Sequence, residues 1–238
     1  MSEVLIDTEG SIRLLTLNRP EKLNAINDAL SHALKSAIKE AASDDNVSVI
    51  LLTGAGRAFS AGADLKEAAS NGRRPQREAL NSAINSTSVY NALIACDKPV
   101  IAAVNGYALG AGSAIAVSCD LVLASDDAVF GYPELKHGLA ATAVSPTLVA
   151  QIGRKHATEL LLLAENLPAA RAAEIGLINR VVPKDELMTT AKLWANIMSG
   201  FDSDALWMTK RMIRRSSEMT LAQAHGLAAD SLTVMRGF

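Results

Sequence analysis

Apolar residues recur along this chain at two spacings, and the switches from one to the other mark its elements. Val4 to Asp7 and Ser11 to Leu17 flank Thr8-Glu9-Gly10, and the second run alternates faces, which predicts a β-hairpin ended by Asn18-Arg19-Pro20. Leu30, Ala33, Leu34, Ala37, Ile38 and Ala41 follow helical i, i+3, i+4, i+7 spacing behind Asn27, whose side chain suits an N-cap. Val47 to Thr53 is apolar without alternation, as in a strand buried on both faces. The order is strand, strand, helix, strand, and no motif recurs at a fixed period.

The second half reads in the same way. Ala68 to Arg77, with Asn71-Gly72-Arg73-Arg74-Pro75, reads as a mobile loop before a helix from Glu78 to Ala95. Val100 to Val104, Leu121 to Ala124 and Val129 to Gly131 are predicted strands; Ser145 to Ile152, His156 to Ala164 and Ala169 to Ile175 are predicted helices. Ile178 to Val182 is a last strand before Pro183. From Lys184 the pattern is helical, with Lys210, Arg211, Arg214 and Arg215 forming a basic patch.

The stretch Pro99 to Asp120, PVIAAVNGYALGAGSAIAVSCD, carries the first chemical signal. A strand that stops at Asn105-Gly106 and Gly110-Ala111-Gly112 and feeds a helix aims unpaired backbone N–H groups at one point, which suits an oxygen bearing negative charge. Two other readings stand beside it. Gly106 and Gly110 match a pairing motif of transmembrane helices, although Asn105 and the glycines interrupt the run and no basic cluster flanks it. The glycines also suit close packing of an ordinary core strand and helix.

Composition narrows the class. The chain has 238 residues, 49% hydrophobic and 20% charged, enough for one large core or a core with a small appendage. A net charge of −2 offers no general attraction to nucleic acid or an anionic membrane, so neither is an expected partner. Cys96 and Cys119 lack metal or redox spacing, and MSEVLIDTEG lacks an export signal, which predicts a cytoplasmic setting. His32, His137, His156 and His225 are scattered, so no metal site is expected.

A second small-residue loop, Gly54 to Asp64, follows the strand at Val47 to Thr53, and small residues let a ligand approach the backbone. It is not a dinucleotide fingerprint, because Phe59 holds the third glycine position and no acidic residue ends a second strand about twenty residues on. Neither glycine-rich loop carries a P-loop lysine and hydroxyl or a nucleophile-elbow serine with histidine partners. Glu134, in Tyr132-Pro133-Glu134 beside a weakly charged apolar run, is the remaining acid of interest.

Taken together, NRPEKLNAI (Asn18 to Ile26), GRAFSAGADLKE (Gly56 to Glu67), NGYALGAG (Asn105 to Gly112), CDLVLAS (Cys119 to Ser125), FGYPELKHGL (Phe130 to Leu139) and AAEIGLINRVVP (Ala172 to Pro183) resemble the crotonase family, the enoyl-CoA hydratase/isomerase group. Order and spacing match over nearly the whole chain. The resemblance implies an α/β, crotonase-like spiral of strand-strand-helix repeats over residues 1–183 and a helical C-terminal trimerisation region over residues 184–238. It implies acyl-CoA thioesters as substrates, coenzyme A as part of the substrate rather than a cofactor, and a homotrimer or dimer of trimers.

The same resemblance assigns an oxyanion hole to the backbone N–H groups of Ala63 and Ala111. It runs the CoA moiety over Lys22, Leu23, Ala25, Ala61, Gly62, Asp64, Leu65, Lys66 and Gly110, with backbone near Ala61 reading the adenine. Charge alone adds Arg73, Arg74 and Arg77 as phosphate partners. Hydratases of the family carry two glutamates; here the first position is Ala114 and the second is retained as Glu134. One carboxylate can move a proton between the ends of a dienolate, so the pattern favours a Δ3,Δ2-enoyl-CoA isomerase, with a hydratase, a single-glutamate C–C lyase or a catalytically silent acyl-CoA-binding member as alternatives.

Overall fold

A computed structural model describes residues 2–70, 77 and 88–235. Strand β1 (Val4–Glu9) pairs antiparallel with β2 (Ile12–Leu17). Helix α1 (Asp28–Ser43) follows, its Asn27 cap accepting from the Leu30 N–H at 2.8 Å, and it buries Leu30, Leu34, Ala37, Ile38 and Ala41. Strand β3 (Val49–Gly54) then pairs parallel with β2 and is buried at every position. The continuous apolar run of VILLTG is therefore the signature of a strand covered on both faces.

From β3 onward the chain alternates between two sheets. Strands β3, β5 (Val100–Val104), β7 (Leu121–Ser125) and β10 (Arg180–Val182) extend the first sheet in parallel, in the order β1-β2-β3-β5-β7-β10. After β3, β5 and β7, the chain turns into β4 (Ala58–Ser60), β6 (Tyr107–Leu109) and β8 (Val129–Gly131), which lie parallel to one another in a second sheet. Strand β9 (Leu167–Pro168) closes that sheet antiparallel to β8. This is the strand-strand-helix winding expected from the family resemblance.

Three strands were not legible as such: β4, β6 and the two-residue β9. β4 lies inside what reads as a loop, and β6 lies between Gly106 and Gly110, where the sequence predicts a turn straight into a helix. The reason for Gly106 is a close crossing: a Cβ there would sit 2.2 Å from the Arg57 carbonyl oxygen, so only glycine lets β6 pass beside β4.

Helix α2 (Leu65–Ser70) follows the Gly54 to Asp64 loop and reaches into the segment predicted as a mobile loop; most of that loop, and the expected helix start at Glu78, lie outside the described residues. Residues 88–95 form α3, which leads into β5. Helix α4 (Ala111–Val117) is buried from Gly112 onward. Helix α5 (Ser145–Leu163) is broken at Gly153, which has φ 72° and ψ 165°, matching the two predicted helices on either side. No helix among the described residues is long and apolar enough to cross a membrane.

Helices α6 (Ala169–Glu174), α7 (Leu187–Ser199), α8 (Ser203–Ser216) and α9 (Leu221–Met235) complete the chain. Leu187, Ala191 and Ala195 of α7 pack on Ile12, Val49, Leu51, Ile101 and Leu123, one face of the first sheet; α1 and α4 contribute to the larger core that includes Leu15, Ile50 and Ala102. The expected basic patch on α8 is not a free surface. Lys210 turns inward, donates to the Lys98 carbonyl oxygen at 2.8 Å and pairs with Asp120 at 2.6 Å, while Arg214 donates to the Ile94 carbonyl oxygen at 3.0 Å. A cation on a helix face carries no mark in the sequence of an acid ninety residues earlier.

Candidate active site

Two loops far apart in sequence are stitched together first. Asn24 is fully buried, and its side-chain amide donates to the Ala55 and Ala58 carbonyl oxygens at 2.9 and 2.8 Å while its oxygen accepts from the Arg19 N–H at 2.8 Å. Its backbone is left-handed at φ 54°, a conformation asparagine tolerates better than most residues. Replacing Asn24 by alanine strands these partners, and the expected loss is about 2–4 kcal/mol, read as a lower urea midpoint. An unchanged midpoint would show that water replaces all three bonds.

The stitching fixes the backbone at Ala63. The Ala61 N–H donates to the Leu23 carbonyl at 2.9 Å, the Ile26 N–H to the Gly62 carbonyl at 2.7 Å, and the Asp64 N–H to the Ile26 carbonyl at 2.9 Å. Ile26 and Ala63 therefore form a parallel bridge in which Ile26 uses both its polar groups on the neighbours of Ala63. That leaves the Ala63 N–H facing away from the first loop.

On that side Gly62 is the contact. Its φ is 95°, and a Cβ would lie 2.7 Å from the Leu109 carbonyl oxygen and 3.6 Å from the Ala111 nitrogen. The peptide carrying the Ala63 N–H thus runs beside the one carrying the Ala111 N–H. Ala111 is the first residue of α4, and Ala114 donates to the Gly110 carbonyl at 3.0 Å, so the Ala111 N–H precedes the helix's own bonds. Ala63 and Ala111 both line a cavity of about 170 Å3, together with Ala61, Gly62, Leu65 and Gly110.

Glu134 enters the same cavity from a 3-10 turn, Pro133–His137. Oε1 lies against Gly110, 3.2 Å from where a Cβ of that residue would stand. Oε2 is buried and has no hydrogen-bond partner among the described residues. Burial raises the Glu134 pKa above the usual glutamate value, with its own backbone N–H and His137 pulling the other way. His137 lies three residues on in the 3-10 turn, hence on the same side, and lines the cavity too.

Two tyrosines surround the carboxyl. Tyr132 is 1% exposed and accepts from the Ser113 hydroxyl at 2.9 Å; burial and the Glu134 charge raise its pKa. Tyr90, on α3, lines the cavity, and the same two causes push its pKa up to about 12. Tyr90 does not stand out in the sequence, since it occupies a helix whose neighbouring Val89 and Leu93 are ordinary core residues. A larger cavity, about 430 Å3, lies around the Asp120 and Lys210 pair and includes neither Glu134 nor the two alanines.

The remaining expected residues divide. Lys22, Leu23, Ala25, Asp64 and Lys66 are not on the cavity wall; the first four belong to the two stitched segments beside it and Lys66 to the start of α2. Asp64 loses ionisation to burial but gains more from the Glu67 N–H and the Arg19 guanidinium, 3.2 Å away, so its pKa lies below the usual value and its carboxylate is engaged within the protein. Arg73 and Arg74 lie outside the described residues; Arg77 is helical and exposed. Ala114 is 5% exposed and is not among the residues lining the cavity.

Residues 7–235 match the family model described as enoyl-CoA hydratase/isomerase. A probable enoyl-CoA hydratase of Mycobacterium leprae is 40% identical over 92% of this chain and 84% of its own length. Among solved structures, an enoyl-CoA hydratase of Mycobacterium smegmatis superposes with a TM-score of 0.93 at 31% identity, covering 99% of this chain and 91% of that one. A monofunctional enoyl-CoA isomerase of the same organism gives 0.80 at 32% identity, covering 94% and 98%.

Proposed function

Because the chain belongs to the enoyl-CoA hydratase/isomerase family, and so to the enzymes that act on acyl-CoA thioesters, we propose that it shifts the double bond of a 3-enoyl-CoA to the 2-position. The thioester oxygen sits between the Ala63 and Ala111 N–H groups. Glu134 removes a proton from C2, the electron pair moves onto that oxygen to form a dienolate, and the same carboxyl returns the proton to C4. Double bond and proton change places, and no water is consumed.

The observation that carries this reading is the single carboxylate: Glu134 is the one acid among the described residues lining the cavity, while position 114 is a buried alanine. The CoA moiety runs over the loops holding Lys22, Leu23, Ala25, Ala61, Asp64, Leu65 and Lys66, with Asp64 acting as a strut through Arg19. No cofactor is required beyond the CoA ester. Ile213, Leu221 and Val234, each at least 70% exposed on α8 and α9, support a homotrimer or dimer of trimers. Hydration is the alternative, favoured by the names of the relatives.

Initial rates with 3-enoyl-CoA, 2-enoyl-CoA and 3-hydroxyacyl-CoA separate the two. The expected result is fastest conversion of the 3-enoyl ester to the 2-enoyl ester; fast hydration with no shift would reject it. The pH dependence follows from Glu134. Proton abstraction needs the ionised carboxylate, and burial favours the neutral acid, so kcat/KM falls as the pH is lowered through a pKa above the ordinary glutamate value. An acidic limb at or below that ordinary value would mean that a different group abstracts the proton.

A further inference from the structure

The double-bond shift uses the Glu134 carboxyl and gives no task to the Tyr90 hydroxyl in the same cavity. Glu134 Oε2 is buried and unpartnered among the described residues, and the Tyr90 hydroxyl has no hydrogen-bond partner among them either. They reach the cavity from different elements, Tyr90 from α3 and Glu134 from the 3-10 turn after β8. With its pKa pushed up to about 12, Tyr90 is an uncharged phenol at neutral pH, able both to donate and to accept beside the Glu134 charge.

A buried polar oxygen without a partner is costly, and a water relieves that cost where the site is polar and roomy enough. A water needs about 30 Å3 of liquid volume, and the cavity holds about 170 Å3. Thr142 brings the other hydroxyl to the wall, but it sits on the exposed segment after the 3-10 turn.

Resting on the assignment of Glu134 as the acid/base, we propose that Tyr90 is a second catalytic residue, holding with Glu134 Oε2 a water that adds to a 2-enoyl thioester and gives the chain a slower hydration activity. The water oxygen bonds to C3 while its proton passes to Glu134, and the C2=C3 electron pair moves onto the thioester oxygen between the two N–H groups. Glu134 then gives the proton to C2 as the enolate collapses. One hydrogen and one hydroxyl have been added, the carboxylate is regenerated, and Tyr90 orients the water without changing its own protonation.

The test is Tyr90→Phe in the full chain, which removes the hydroxyl and keeps the ring. Double-bond shift of a short 3-enoyl-CoA and hydration of the matching 2-enoyl-CoA are measured on the same sample, so that the ratio of the two rates does not depend on the folded fraction. The ratio of hydration to shift falls about tenfold or more, the worth of one hydrogen bond to a reacting group. KM for the 2-enoyl ester stays within about threefold, because a truncated group that acts only in the transition state changes kcat. An unchanged ratio, or a wild-type protein that shifts the double bond and adds no water, overturns the role given to Tyr90. A wild-type protein that hydrates without shifting overturns the isomerase reading alone; Tyr90→Phe is then read as hydration kcat per folded protein, where a fall of about tenfold supports the role given to Tyr90 and an unchanged kcat overturns it.

Discussion

Glu134→Gln is expected to lower turnover by about 100- to 10,000-fold while leaving the affinity for a saturated acyl-CoA nearly unchanged. The amide keeps the shape of the side chain and its place against Gly110, but it cannot take a proton from carbon at neutral pH. The loops proposed to carry the nucleotide part of the substrate lie on other elements, in the stitched segments around Leu23 and Ala61. Turnover equal to that of the wild type would remove Glu134 from the reaction. Lost affinity with unchanged turnover would make it a binding residue.

Ala111→Pro is the second large expected effect, about 100- to 1,000-fold in kcat, the usual cost of one lost oxyanion donor. Because the donor is a backbone group, truncating the side chain does not touch it. Proline deletes the N–H itself, and at the first position of a helix it is well tolerated, since that N–H has no intrahelical partner and the ring's fixed φ suits the helix. Ala111 is the first residue of α4, so the thermal midpoint should move little while kcat falls. A variant with wild-type kcat would show that the Ala111 N–H does not meet the thioester oxygen.

The first sheet was legible because its central strands are covered on both faces. That covering leaves unbroken apolar runs at Val49 to Leu52 and Val100 to Val104. Of the second sheet only β8 was, since β4 and β6 are short and set among glycine, alanine and serine that read as loop and turn, and the winding that joins the two sheets came from the family resemblance rather than from periodicity. Of the site, the two small-residue loops and the Pro133-Glu134 pair were readable, because glycine and alanine next to a strand end mark places where backbone meets ligand. Tyr90 was not, because its helix neighbours are core residues and its hydroxyl acquires meaning only beside an acid forty-four residues later. Asp64 reads as a CoA contact by position, yet its carboxylate is bound to Arg19, a partner brought near by the turn at Pro20–Lys22.

The account rests on a thioester enolate formed by Glu134 and held by two backbone amides, and a saturated acyl-CoA isolates that step. Such an ester has no double bond to move or hydrate, so the one reaction open to it is loss and return of the C2 proton. Followed by proton NMR in deuterated water, the C2 signal of a bound short-chain acyl-CoA should fade as deuterium enters, and Glu134→Gln should slow this by about 100-fold or more. A protein that binds the ester and leaves the C2 hydrogens in place would contradict the account.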